Sequence, residues 1–503
     1  MFKSNFSFKK FMCLLLAVSF VLSIAVLMSS CNNSEDQNGT TPGTTDPAGN
    51  NNVEEDKPER MDVNFDGYEF KLLLSNRATK TPNDFDPTKD AESAMGMAIA
   101  KRNLAMEEKY GVKLATLDVD FSTTHQAVSK IEKQNSSETN DYDMGVINTY
   151  AVAPLTTSGQ LYDLKAVPYL DLSKSWWDQT IINDLTIQDS IYFVCGDITT
   201  TVDDFMYCVV FNKDLYEQHI TDGTNVYDLV SQGKWTLDEL LRLSKKVAID
   251  ENGDGAMDAR DTFGLMTWYD ELYASVQAAG GRVAQVNDEG KIELCLYNSH
   301  NIEVMSKYME LEKANSTINF QNTAKMVEGA TWSNMFKNNQ VMFLMYTINK
   351  LTSLRDMDTD YGILPNPKFN AEQDKWYCTF SAGLAAFVCI PSYQEDIERT
   401  GTIIELFGYE GTHTIKDAYY EKTLKGTYVR DSGAIDSLGV ILDNKYIDVG
   451  HYYRIGGLNN ALYRVAESGN AGSFAAEYEA CRTVAEQDIK NINEMFESLK
   501  KQG

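Results

Sequence analysis

The sequence predicts an α/β protein built as two lobes, and three observations carry that expectation. Strand-like and helix-like runs alternate over residues 68–147, a helix-rich middle follows, and a short apolar run at 341–346 brings the strand pattern back. The roughly 440 residues beyond the first 60 exceed what one hydrophobic core usually supports, so two domains are expected. Leaving a sheet, building a helical region and returning is the connectivity of two lobes joined by several crossings.

Residues 68–74 read as a strand, 91–110 as a helix stopped at Gly111, 112–119 as a strand, 123–134 as a helix and 143–147 as a short buried strand. This β-α-β-α-β order predicts a parallel sheet with helices on its faces. Residues 190–212 hold two apolar strand-like runs separated by polar residues 196–204, which reads as a crossing between lobes. Thr236 followed by Glu239 is a helix-opening pair, with apolar residues at helical spacing to Val247. Further helices are expected at 270–279, 300–314 and 331–337. The apolar run 378–390 is too short to span a membrane and reads as a buried strand. The resulting division is 1–30 as a targeting segment, 31–60 as a tether, 61–203 in lobe 1, 204–343 in lobe 2, 344–380 returning to lobe 1, and a mainly helical segment 381–503 spanning both lobes.

The N-terminus has its own logic. Lys3, Lys9 and Lys10 precede an apolar run over 11–28, and Met28-Ser29-Ser30-Cys31 closes it. This resembles a bacterial lipoprotein signal, although Met28 stands where Leu, Val or Ile is usual. The resemblance implies cleavage before Cys31, acylation of its thiol and a lipid-anchored, extracytoplasmic location. Residues 32–60 are Asn, Gly, Thr, Pro, Asp and Glu with almost nothing apolar. Such a stretch cannot bury enough surface to offset the entropy of ordering, and as a flexible coil its ends lie roughly 30 Å apart.

A formal net charge of −28 opposes nucleic acid, an anionic lipid surface and polyanionic ligands. A neutral or cationic solute fits better. Beyond Cys13 and Cys31, the cysteines are Cys195, Cys208, Cys295, Cys378, Cys389 and Cys481. Their even number permits disulfides in an exported protein without requiring them, and no Cys-x-x-Cys pair suggests a structural zinc.

The most specific chemical motif runs from Asp250 to Asp261. Asp250, Asn252, Asp254, Asp258 and Asp261 place side-chain oxygens at loop positions 1, 3, 5, 9 and 12, Ala256 offers a carbonyl at position 7, and Gly255 stands at the turning position 6. The spacing suits a hard cation, with structural Ca2+ expected. The competing reading is an acidic turn held by side-chain to backbone hydrogen bonds.

Several short segments then occur in a telling order: Phe211-Asn212-Lys213-Asp214-Leu215-Tyr216, Gly233-Lys234-Trp235-Thr236-Leu237, the acidic loop ending in Phe263-Gly264, Ala279-Gly280-Gly281, and Tyr361-Gly362-Ile363-Leu364-Pro365-Asn366-Pro367-Lys368. Together they resemble the extracellular solute-binding lipoproteins of ABC importers, in particular the carbohydrate-type members related to maltose-binding protein. The resemblance implies a type II periplasmic-binding fold, two α/β lobes with a hinge and an interlobe cleft, acting as a monomer beside an ABC permease.

A sugar cleft needs aromatic rings against apolar C–H faces and carboxylates or amides for hydroxyls. Trp268-Tyr269-Asp270 supplies both kinds within three residues. By resemblance, cleft-lining positions also include Asn148 and Tyr150, Asp203 and Asp204 at the crossing, Tyr346 and Trp332. For each aromatic the competing role is core packing, and for Asp203-Asp204 it is a solvated turn. An enzyme finds no support: Gly-x-Ser-x-Gly, His-Glu-x-x-His and a phosphate-binding glycine loop are absent, and the five histidines are scattered. Two alternatives to a sugar importer component stay open, a surface glycan-binding lipoprotein without a permease and a binding protein for a polyamine or peptide.

Overall fold

The first sheet assembles from local signals. In the computed structural model, which describes residues 56–76, 84–120, 124–421 and 431–499, strand β1 (Tyr68–Asn76) pairs in parallel with β2 (Val112–Asp120) along its full length. The targeting segment, Cys31 and the tether up to residue 55 lie outside the described residues. Helix α1 (Ala94–Tyr110) starts where Ser93 Oγ accepts from the Gly96 amide. It ends at Gly111, whose φ of 65° is the left-handed conformation glycine adopts without steric cost. Helix α2 (Thr124–Ser137) leads to β3 (Met144–Asn148), parallel to β1 and buried at every residue, and α3 (Thr149–Thr157) follows directly.

The chain then crosses to a second sheet, opened by β4 (Tyr207–Asn212). Helix α4 (Leu237–Ser244) begins at Thr236, whose Oγ1 accepts from the Glu239 amide as the sequence predicts. After it come β5 (Ala248–Ile249), β6 (Thr262–Thr267), α5 (Glu271–Ala278), α6 (Ser299–Glu312), β7 (Thr317–Asn319), β8 (Val341–Thr347) and β9 (Tyr361–Leu364). The sheet order is β9-β4-β8-β6-β5, with β7 also paired to β6. Gly264 lets α4 lie against this sheet, because a Cβ there would collide with the Ser244 carbonyl.

The expected return to the first lobe at residue 344 does not occur there. Strand β9 pairs antiparallel with β4, Tyr361 opposite Asn212, so this stretch belongs to the second sheet. The chain rejoins the first sheet only at β10 (Ala386–Cys389), antiparallel to β3, which completes the order β10-β3-β1-β2. Of the apolar run at 378–390, only these four residues are a strand. Residues 191–195 likewise contribute a single bridge, Val194 to Val388, instead of a strand.

Three crossing segments lie side by side between the sheets. The Tyr207 amide donates to the Thr379 carbonyl and Ser381 to Phe205; Cys378 donates to Asn444, and Tyr446 donates back to Cys378. The third crossing exists because the C-terminal helices alternate between lobes: α7 (Ile397–Gly411) packs on α1, and α8 (Ser432–Asp443) packs on β9. Helices α9 (Leu458–Ser468) and α10 (Phe474–Leu499) pack together behind α5.

At this junction Lys445 Nζ lies 2.7 Å from Asp178 Oδ2 and 2.8 Å from Asp203 Oδ1, with the three side chains 13%, 13% and 15% exposed. Burial works against the ammonium, but the Asp203 and Asp178 carboxylates outweigh it and hold the lysine charged. The six cysteines among the described residues are free thiols. Among the described residues no helix is long and apolar enough to cross a membrane.

Candidate functional site

Strand register builds an aromatic wall. Within the second sheet β6 runs parallel to both β8 and β7, with Met266 opposite Leu344 and Thr267 opposite Asn319. One or two residues further on, the same register brings Trp268, Tyr346 and Phe320 together at the carboxyl ends of three parallel strands, the edge where open α/β sheets place their ligands. The Trp268 and Tyr346 rings meet edge-on at 4.7 Å, Phe320 lies nearly parallel to Trp268 at 6.1 Å, and Trp332 meets Tyr346 edge-on at 5.1 Å. Tyr207, at the start of β4, closes the back of the group 5.9 Å from Trp268.

Trp268 is only 8% exposed, so much of its ring is core, whereas Phe320, Trp332 and Tyr346 are half-buried and retain accessible surface. The Trp268 indole donates to Glu271 Oε1 at 2.9 Å. Burial pushes the Glu271 carboxyl up to about 8, so it is protonated at neutral pH. Asp270, at the start of α5, is half-buried beside this wall, and Tyr269 meets Tyr463 of α9 edge-on at 5.2 Å.

From the first lobe Tyr150, in the first turn of α3, stands within electrostatic reach of Tyr207 and Tyr273. The Arg454 guanidinium caps its ring at 4.6 Å. Arg454 is exposed with a φ of 53° and is followed by Gly456 and Gly457, also in the left-handed region, where the chain folds sharply into α9. Tyr150, Trp268, Tyr269, Asp270, Trp332 and Tyr346 are therefore brought to one region, joined by Tyr207, Phe320, Arg454 and Tyr463. The sequence offered no signal for these four. Tyr207 and Phe320 emerge from strand register, and Arg454 and Tyr463 arrive from a distant C-terminal segment.

The remaining candidates have other work. Asn148 is fully buried; its Oδ1 accepts from the Ala151 amide at 3.2 Å and its Nδ2 donates to Ser75 Oγ at 3.0 Å, which makes it the cap of α3. Asp203 pairs with Lys445 and accepts from the Tyr420 hydroxyl at 3.0 Å. Asp204 accepts from the Tyr419 hydroxyl at 2.7 Å, and burial pushes it up to about 8. Asp203 lines a separate polar cavity of about 300 Å³ with Trp176, Asp178, Asp197, Lys416 and Lys445. Both acids tie the first crossing segment to Tyr419, Tyr420 and Lys445 from far along the chain.

The profile of the bacterial extracellular solute-binding proteins matches residues 105–404. The chain belongs to that family. Its members bind solutes and are not enzymes. Among curated proteins no sequence match is found. This solute-binding protein shares its fold with the cyclic α-maltosyl-1,6-maltose binding protein of Arthrobacter globiformis, at 12% identity and a TM-score of 0.57, over 84% of this chain and 99% of that one. It is also similar to the maltose/maltodextrin-binding domain MalE of Bdellovibrio bacteriovorus bound to maltotriose, at 15% identity, TM-score 0.52, and 84% and 100% coverage. A third likeness is to a Thermotoga lettingae ABC transporter solute-binding protein bound with α-D-tagatose, at 15%, 0.51, and 84% and 100%. These likenesses establish the two-lobed periplasmic-binding fold.

In this solute-binding protein the acidic loop folds onto its own amides. Asp250 accepts from Gly253 and Gly255, Asn252 from Asp254, and Asp254 from Ala256, at 2.7–2.9 Å. Buried Asp261 accepts from Glu251 and Asp258. Arg260 ties Asp254 to Asp258, and among the described residues no three acidic, His or Cys side chains converge as a metal cage. The donor types suit calcium, but the arrangement as it stands does not form its cage.

Proposed function

We propose that this protein captures a neutral sugar or oligosaccharide outside the cell and passes it to the permease of an ABC importer. The observation that carries the reading is the register-built wall of Trp268, Phe320, Trp332 and Tyr346, flanked by Asp270 and faced by Tyr150. Rings offer apolar surface to sugar C–H faces while Asp270 and Arg454 offer charge-assisted hydrogen bonds to hydroxyls. The sugars named for the similar structures above support the same choice. A thermal-shift panel of maltotriose, α-D-tagatose, spermidine and a short peptide tests it. A bound sugar at 100 times its dissociation constant stabilises by about 2.7 kcal/mol. Stabilisation by spermidine or the peptide alone would replace the sugar reading. Loss of sugar uptake on deletion of the gene separates an importer component from a surface glycan binder.

Anchoring rests on Lys3, Lys9, Lys10, the apolar run 11–28 and Cys31. Cys31→Ser is expected to move the protein from the membrane to the soluble fraction with ligand affinity unchanged. A wild type that takes up no fatty-acid probe refutes the anchor. Calcium in the loop 250–261 is proposed on donor spacing alone, and filling it requires Arg260 to swing away from Asp254 and Asp258. Chelation is then expected to lower the melting temperature. Unchanged melting, with no metal by elemental analysis, leaves an acidic turn.

A further inference from the structure

Glu271 is a fully buried carboxyl at the first position of α5, directly behind the aromatic wall. Its Oε1 accepts from Trp268 Nε1 at 2.9 Å and its Oε2 from Asn366 Nδ2 at 3.1 Å. Asn366 follows β9, so one carboxyl joins the end of β6, the start of α5 and the loop after β9. The Asn366 Oδ1 atom is buried and has no hydrogen-bond partner. A half-turn of that amide presents Oδ1 to Glu271, giving a protonated carboxyl an acceptor for its own hydrogen.

We propose that Glu271 is a positioning residue for the ligand: with Asn366 it fixes the Trp268 indole, and through Trp268 it sets the plane of the wall. This rests on the reading of that wall as the ligand surface. The groups facing Glu271 are Asp270 beside it, Tyr207 and Cys208 from β4, and Tyr308 and Glu312 from α6. None of these groups is a cation, so none of them neutralises an ionised Glu271. Burial and the neighbouring acids keep the carboxyl neutral until the pH reaches about 8. Above that pH the ionised carboxylate accepts from both the Trp268 indole and the Asn366 amide, and a full negative charge then stands 2.9 Å from the indole nitrogen.

The positioning role is read without any ligand, from tryptophan emission across pH 6–10. The wild type is expected to show an inflection near pH 8. Glu271→Gln, which keeps an acceptor for the indole but cannot ionise, is expected to remove it, as is Trp268→Phe. An inflection that persists in Glu271→Gln, or none in the wild type, overturns the proposal. The link to ligand is read from a double-mutant cycle with maltotriose as probe. Glu271→Leu and Trp268→Phe are each expected to weaken binding about tenfold, and together no more than Trp268→Phe alone. Additive losses overturn the positioning role. Maltotriose binding untouched by Trp268→Phe, with the emission result intact, refutes the wall as ligand surface and leaves Glu271 holding a structural ring.

Discussion

Lys445→Met is expected to destabilise the protein by about 3–5 kcal/mol, because removing one member of a buried ion cluster strands its partners. Lys445 is the cation held between Asp178 and Asp203, at 2.7 and 2.8 Å. Methionine fills a similar volume, so the loss reports charge and not a cavity. The Tyr420 hydroxyl still donates to Asp203, but no cation remains for either acid within the triad. Adding Asp203→Asn is expected to recover part of the loss by removing one stranded charge. Denaturant melts of the single and double variants check both statements, and a single variant as stable as wild type would show that Lys416, in the same cavity, compensates.

Trp268→Ala is expected to weaken sugar binding at least tenfold, about 1.4 kcal/mol, and also to cost about 3–5 kcal/mol of stability. The second effect follows from burial: at 8% exposed the ring packs on Tyr207, Phe320 and Tyr346 and donates to Glu271. Tyr346→Ala separates the two effects, since Tyr346 is half-buried. It is expected to weaken binding comparably with a smaller loss of stability. Calorimetry of both variants against the sugar that stabilises the wild type checks this. Full affinity in both would remove the wall from the site.

The sequence made legible what is encoded locally. Ser93 and Gly111 bound α1, Thr236 opens α4, and the alternation over residues 68–148 is a parallel sheet. Trp268-Tyr269-Asp270 was visible because three ligand-suited residues follow one strand. What escaped was set by partners far away in the chain. Nothing near residue 361 says that β9 pairs with β4, and for that reason the return to the first lobe comes later than the sequence pattern suggests. Asp203 and Asp204 have the chemistry of a sugar site, yet Lys445, Tyr419 and Tyr420 claim them. The place of Asn148 after β3 suits a cleft residue, but in that place an asparagine also caps a helix.

The pairing of β10 with β3 bears on how the chain is made. Both partners of β1 arise early, but the far side of β3 stays open until Ala386–Cys389 is available. Helix α7, which covers α1, comes later still. The first lobe therefore cannot finish folding while most of the polypeptide is still being synthesised, since closing so long a loop is slow and its contacts reward the chain only at the end. The order of segments thus holds completion of the first lobe back until about four-fifths of the polypeptide has emerged, after every strand of the second sheet is already available.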